Sequence, residues 1–161
     1  MSYFAAVLTR AGDRWRAVEA ELDDCEMLSD LGDYLRDTAG EIRLLVIEQD
    51  DEYAAIVRLD HDEDDPRAFL SDGHAADTFP MAALVAEDLV EIGEDELEDD
   101  EDAPPAHDSA PFGDADIVED LGTPASDLLS MCAHPGTLPI DVLVAVCEKA
   151  GCGEVFEELR G

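Results

Sequence analysis

Alternating apolar residues near the start of the chain, a β-branched run after them, and leucines at helical spacing predict an α+β protein. Hairpin-like distances between the alternating segments favour an antiparallel sheet with helices on one face. The chain has 161 residues. That is enough for this domain over residues 1–90, an acidic, proline-containing disordered linker over 91–112, and a small all-helical module over 113–161.

The elements follow in order. In Tyr3 to Arg10, Tyr3, Ala5 and Val7 point one way and Phe4, Ala6 and Leu8 the other. Ala11-Gly12-Asp13 is a turn signal, and Arg14 to Leu22 supplies a second strand. The two make a hairpin with Trp15 near its turn. Asp23-Asp24 offers an N-cap and negative charge to a helix start. Leu28, Leu31 and Leu35 carry that helix, and Gly40 stops it. Ile42 to Glu48 is the most strand-like stretch, and its β-branched run predicts a strand buried on both faces. Asp50-Asp51-Glu52 turns it into Tyr53 to Leu59, and Arg67 to Ser71 forms a short fifth strand. Pro80 opens a helix with Met81, Leu84, Val85 and Leu89 on one face.

From Glu94 to Asp102 every position except Leu97 is acidic, and Pro104, Pro105 and Pro111 follow. Charge repulsion and proline describe an extended linker. Order is expected again from about Asp114. Ile117, Val118 and Leu121 make a short apolar face ended by Gly122. Thr123 is placed as an N-cap, with Pro124 at the first helical position. Leu128, Leu129 and Cys132 continue that helix to His134-Pro135-Gly136. A helix from Pro139 carries Leu143, Val146, Cys147 and Ala150, and a last turn or two carries Val155, Phe156 and Leu159. A module this small is marginal alone, so it is expected to dock on the first domain or on a partner.

Nine basic residues face 43 acidic ones, a formal charge of -34. Such a chain repels phosphate backbones and anionic lipid head groups. Direct nucleic-acid or membrane binding by bulk electrostatics is disfavoured, and a basic partner is expected. Arg14-Trp15-Arg16 reads either as an acidic-ligand contact or as a cluster paired with local carboxylates, the second being favoured. No apolar run approaches the ~20 residues that span a bilayer. The start has no charged region ahead of its apolar stretch, so a cytosolic chain is expected.

The motifs that suggest chemistry weaken on inspection. Asp60, Asp62 and Asp64 resemble the opening of a calcium loop. That loop needs glycine at its sixth position, where Asp65 stands, and glutamate at its twelfth, where Ser71 stands. His61, His74, His107 and His134 fall in unrelated loops. Ser71-Asp72-Gly73-His74 lacks a nucleophile elbow. Gly151-Cys152-Gly153 presents a thiol at a helix start, a position that lowers a thiol pKa when the thiol is exposed; burial at a helix junction is the favoured reading. The cysteines read as free thiols, without zinc spacing. No catalytic, cofactor-binding or metal-binding residue is assigned.

Tyr3-Phe4-Ala5-Ala6-Val7-Leu8, Trp15, Leu28-x-x-Leu31 and the strand at Val46 resemble the N-terminal part of the actinobacterial tRNA adenosine deaminase-associated protein family. Asp120-Leu121-Gly122-Thr123-Pro124-Ala125-Ser126-Asp127-Leu128 and Ala150-Gly151-x-Gly153-Glu154-x-Phe156-Glu157 resemble its C-terminal part. The resemblance implies a gene beside that of the tRNA-editing deaminase and a shared process. It brings no catalytic residue. A zinc nucleobase deaminase needs His-x-Glu together with Pro-Cys-x-x-Cys; the sequence has no Pro-Cys-x-x-Cys, and Cys147 and Cys152 are too far apart to replace it. The leading expectation is a non-enzymatic accessory protein of tRNA adenosine-to-inosine editing that binds a basic protein, the deaminase being the candidate. The alternative is an acidic adaptor or nucleic-acid mimic with an unrelated basic partner. An unrecognised hydrolase or metal enzyme stands third. The candidate partner-binding residues are Glu94, Asp95, Glu96, Glu98, Asp99, Asp100, Glu101 and Asp102.

Overall fold

A computed structural model of the chain describes residues 3–22, 25–49, 51–62, 66–72, 75, 78–85, 112–133 and 136–160. The hairpin read at the start is there: β1 (Phe4–Ala11) pairs antiparallel with β2 (Arg14–Glu19). Helix α1 (Leu28–Arg36) follows, then β3 (Ile42–Gln49), β4 (Tyr53–Arg58) and β5 (Arg67–Leu70). After helix α2 (Pro80–Val85) the described chain resumes at β6 (Phe112–Gly113). A 3-10 turn at Glu119–Leu121 leads into α3 (Ala125–Ala133), α4 (Pro139–Ala150) and α5 (Gly153–Arg160). The strands form one antiparallel sheet in the order β2-β1-β3-β4-β5-β6. The α+β class and the antiparallel sheet are as the sequence predicts.

The period of two explains both faces of that sheet. Ala5, Val7, Leu45, Ile47, Ala55 and Val57 bury one side beneath Leu31 and Leu35 of α1 and Ala82, Leu84 and Val85 of α2. Ala6, Leu8, Leu44, Val46, Ala54 and Ile56 bury the other beneath Leu128, Val142, Leu143, Val146, Cys147 and Phe156. The helices of the first segment therefore lie on one face, and the C-terminal helices cover the opposite one. A central strand such as β3, apolar on both sides, requires that second layer. Its removal would expose the whole inner face to water at roughly 25 cal/mol per Å².

Several boundaries differ from expectation for local reasons. The second strand ends at Glu19, three residues before Leu22. Leu22 is still buried, and its N–H donates to the Tyr3 hydroxyl at 2.8 Å. The α1 cap is Met27 instead of Asp23-Asp24, which lie outside the described residues. The Asp30 carboxylate accepts from Glu26 N–H at 2.9 Å and Met27 N–H at 3.3 Å, closing the helix start from inside the first turn. Thr123 does not cap α3: its hydroxyl is buried and makes no hydrogen bond among the described residues. Gly122 adopts φ +112°, and a Cβ there would lie 2.9 Å from the Lys149 carbonyl oxygen, so only glycine lets the turn sit against α4. Strand β6 begins at Phe112, the last residue of the expected linker; residues 91–111 lie outside the described set.

Candidate functional site

β4 carries a charge where the pattern calls for an apolar side chain. Arg58 stands opposite Leu44 on β3 and opposite Arg67 on β5, on the face covered by the C-terminal segment. It is 4% exposed. Two like charges placed opposite each other repel, and a buried guanidinium without partners is costly. The turn entering the C-terminal layer resolves both problems. Arg58 Nε and Nη2 donate to the two oxygens of Asp60 at 3.0 and 2.9 Å. Nη1 and Nη2 donate to the two oxygens of Asp120 at 2.7 and 2.9 Å, and Nη1 also reaches the Ile117 carbonyl at 2.8 Å. Arg67 donates to Asp114 at 3.1 Å and to Asp116 at 2.8 Å.

The electrostatics follow. Burial opposes the Arg58 charge, but the hydrogen bonds and charges of Asp120 and Asp60 outweigh it and hold the guanidinium's pKa above its ordinary value. The hydrogen bond from Arg58 holds the Asp120 carboxyl below the usual aspartate range. This arrangement fastens residues 114–120 to the sheet. Its donors are occupied by the protein's own acceptors, which leaves the guanidinium no free donor for a ligand.

Other cations are also engaged by acceptors of the same chain, at the surface or at a helix end. Arg36 pairs with Asp33 at 2.7 Å. Arg43 donates to the carbonyls of Leu35, Arg36 and Gly40 and so closes the C-terminal end of α1. The hairpin arginines behave differently. Arg14 and Arg16 are exposed, and neither makes an ion pair among the described residues. The expected pairing with local carboxylates is thus corrected: they project on the α1 side of an edge strand, while Trp15 turns to the other side. Trp15 Nε1 donates to the Ala150 carbonyl at 3.2 Å, and its indole lies beside Gly151, whose φ of +97° closes α4.

The remaining sequence candidates do not converge among the described residues. Asp60 is bound to Arg58, and residues 63–65, Asp64 among them, lie outside the described residues. Ser71 Oγ accepts the Ala54 N–H at 2.8 Å, as a structural group does. His61 lies 4.0 Å from Asp62, while His74, His107 and His134 lie outside the described residues. Cys152 is buried, not presented at the start of α5. Cys147 is buried with it; its hydrogen bond to Cys152 and the lack of water hold its thiol well above the ordinary value. Burial pushes the Cys132 thiol up to about 11. Among the described residues no group of three or more His, Cys, Asp or Glu is placed to hold a metal, and no helix is long and apolar enough to cross a membrane. The candidate acids Glu94, Asp95, Glu96, Glu98, Asp99, Asp100, Glu101 and Asp102 lie outside the described residues.

Sequence reasoning missed the Arg58–Asp120 pair. The partners are 62 positions apart, and no local pattern links them. One signal was available: an arginine inside an otherwise apolar strand must find carboxylates somewhere. A family model described as Rv3753c-like tRNA adenosine deaminase-associated protein matches residues 3–153. No curated protein and no solved structure matches the chain.

Proposed function

The chain belongs to the tRNA adenosine deaminase-associated protein family, and we propose that it acts in tRNA adenosine-to-inosine editing as a non-enzymatic protein that binds a basic partner, the deaminase first. One observation carries this reading. Arg36, Arg43, Arg58 and Arg67 are engaged by acceptors of their own chain. Against a formal charge of -34, the outer surface is then left overwhelmingly anionic. An anionic surface steers toward a positive groove and competes with a phosphate backbone for it. A tRNA-binding enzyme carries such a groove, so the protein shields it, competes for it, or delivers the enzyme. Glu94 to Asp102 is the densest run of acidic residues in the sequence.

The non-enzymatic part rests on the fate of the chemically suggestive side chains. Arg58 is saturated, Ser71 serves as an acceptor, and Cys152 is buried. The protein acts in the cytosol, without direct contact to nucleic acid or membrane. The second reading, an acidic adaptor or nucleic-acid mimic for an unrelated basic partner, draws on the same surface. Affinity capture on the tagged full-length chain from its native host, with mass spectrometry, separates the two. The deaminase is expected among the captured proteins at low salt and depleted at high salt; its absence while another basic protein is enriched favours the second reading. Zinc near one per chain in the purified protein would instead revive a metal enzyme.

A further inference from the structure

Strand β2 is a sheet edge whose outward main-chain groups have no strand partner among the described residues. The Ala20 N–H donates to the Ala5 carbonyl at 2.9 Å. In an antiparallel ladder that contact fixes the alternation: Arg14, Arg16 and Val18 direct their N–H and C=O groups toward β1, and Trp15, Ala17 and Glu19 direct theirs outward. The side chains divide by face. Arg14 and Arg16, both exposed and without an ion pair among the described residues, share the α1 side with Val18, which is 60% exposed. On the other side Trp15 and Ala17 lie against Val155 and Leu159 of α5, and a groove of about 420 Å³ runs along this edge.

We propose that the β2 edge binds an extended segment of a partner protein as an added antiparallel strand, and that this segment alternates acidic with apolar residues. The pattern of the edge dictates the pattern of the occupant. An added strand sends successive side chains to opposite faces. Those on the α1 side meet two guanidiniums two residues apart, which match carboxylates at the same spacing. Those on the α5 side meet Trp15, Ala17, Val155 and Leu159, which match apolar side chains, while Glu158, also lining the groove, excludes a carboxylate from that side. A second copy of the chain fits poorly. Antiparallel pairing of β2 with itself keeps the arginine faces on the same side, where like charges meet, and each chain brings a charge of -34.

The test uses the full chain and a ten-residue synthetic peptide alternating aspartate and valine. Trp15 is the single tryptophan, so its emission reports occupation of the groove directly. A saturable change in emission is expected. The double variant R14E/R16E should weaken binding about tenfold, since both sites are exposed and leave the fold intact. Ala17→Pro deletes one outward N–H without touching the ladder to β1, and should weaken binding at an unchanged melting temperature. If that variant melts early, Glu19→Pro at the exposed strand end removes the next outward N–H and should weaken binding in the same way. A peptide of the same composition with its aspartates in one block should bind at least about tenfold more weakly. Equal binding of the two peptides, indifference to R14E/R16E, or no binding at millimolar peptide would overturn the proposal; the arginines would then only blunt the edge against aggregation. Binding of a short single-stranded RNA in place of the peptide, lost in R14E/R16E, would also overturn it and reassign the arginines to phosphate.

Discussion

Replacing Asp120 with alanine removes one side of the contact that fastens the C-terminal layer to the sheet. Arg58 loses two charge-assisted hydrogen bonds, at 2.7 and 2.9 Å, and keeps Asp60 and the Ile117 carbonyl. A fully buried ion pair broken on one side costs about 3–5 kcal/mol. An exposed pair contributes about 0–1 kcal/mol. This pair lies between, because Arg58 is 4% exposed while the Asp120 side chain is 61% exposed and partly screened by water. The expected loss is therefore about 2 kcal/mol, or a fall of roughly 4–8 °C in melting temperature for a chain of this size. The sign with pH is fixed by the direction of the shift. The folded Asp120 pKa lies below its unfolded value, so the contribution is complete above the ordinary aspartate pKa of about 3.9 and is lost as pH falls through the depressed folded value. Thermal melts of the native chain and Asp120→Ala should differ fully near neutrality and converge in acid. A difference below about 0.5 kcal/mol at neutral pH, within the range of ordinary surface substitutions, would refute this reading of the contact.

Two further outcomes are expected. Thr123→Val keeps the shape and removes a buried hydroxyl that makes no hydrogen bond among the described residues, so stability should hold or rise by about 1 kcal/mol, whereas a capping threonine would lose about that much. Cleavage of the intact protein between residues 91 and 111 should leave fragments that co-elute in size exclusion, because Leu44, Val46 and Ile56 share a core with Val142, Val146 and Phe156; separation of the fragments would show that this shared core does not hold them.

Much of the fold was legible because its causes are local. The alternation from Tyr3 to Leu8, the turn at Gly12 and the β-branched run at Ile42 act over a few residues, and β1, β2 and β3 stand where those signals put them. Pro139 and Gly151 bracket α4 for the same reason. The placement of the C-terminal helices was less accessible. Burial of Ile42 to Glu48 on both faces called for a second layer, but helical spacing alone did not say whether that layer came from the same chain or from a partner. The contacts that decide it are long-range: Asp120 with Arg58, and Trp15 with Ala150, 135 positions apart. Trp15, Asp120, Gly122 and Gly151, which carried part of the family resemblance, lie at this junction between sheet and helices. Their roles are those of packing and fastening, which explains why they suggested no chemistry. That Arg14 and Arg16 make no ion pair among the described residues was equally illegible, since composition made a nearby carboxylate the natural partner.

The central claim is recognition of a basic partner by an anionic surface, without catalysis by the chain. It is tested most directly by rapid-mixing measurement of the association rate between the editing deaminase and the intact protein, beside a variant with the acids of Glu94 to Asp102 changed to amides. Long-range steering acts within the Debye length, about 10 Å at 0.1 M salt and about 3 Å at 1 M. The account predicts fast association at low salt, a clear slowing in the amide variant, and convergence of the two at high salt. Equal rates for the two forms at low salt would reduce the acidic run to a spacer, and failure of both to bind the deaminase would contradict the account.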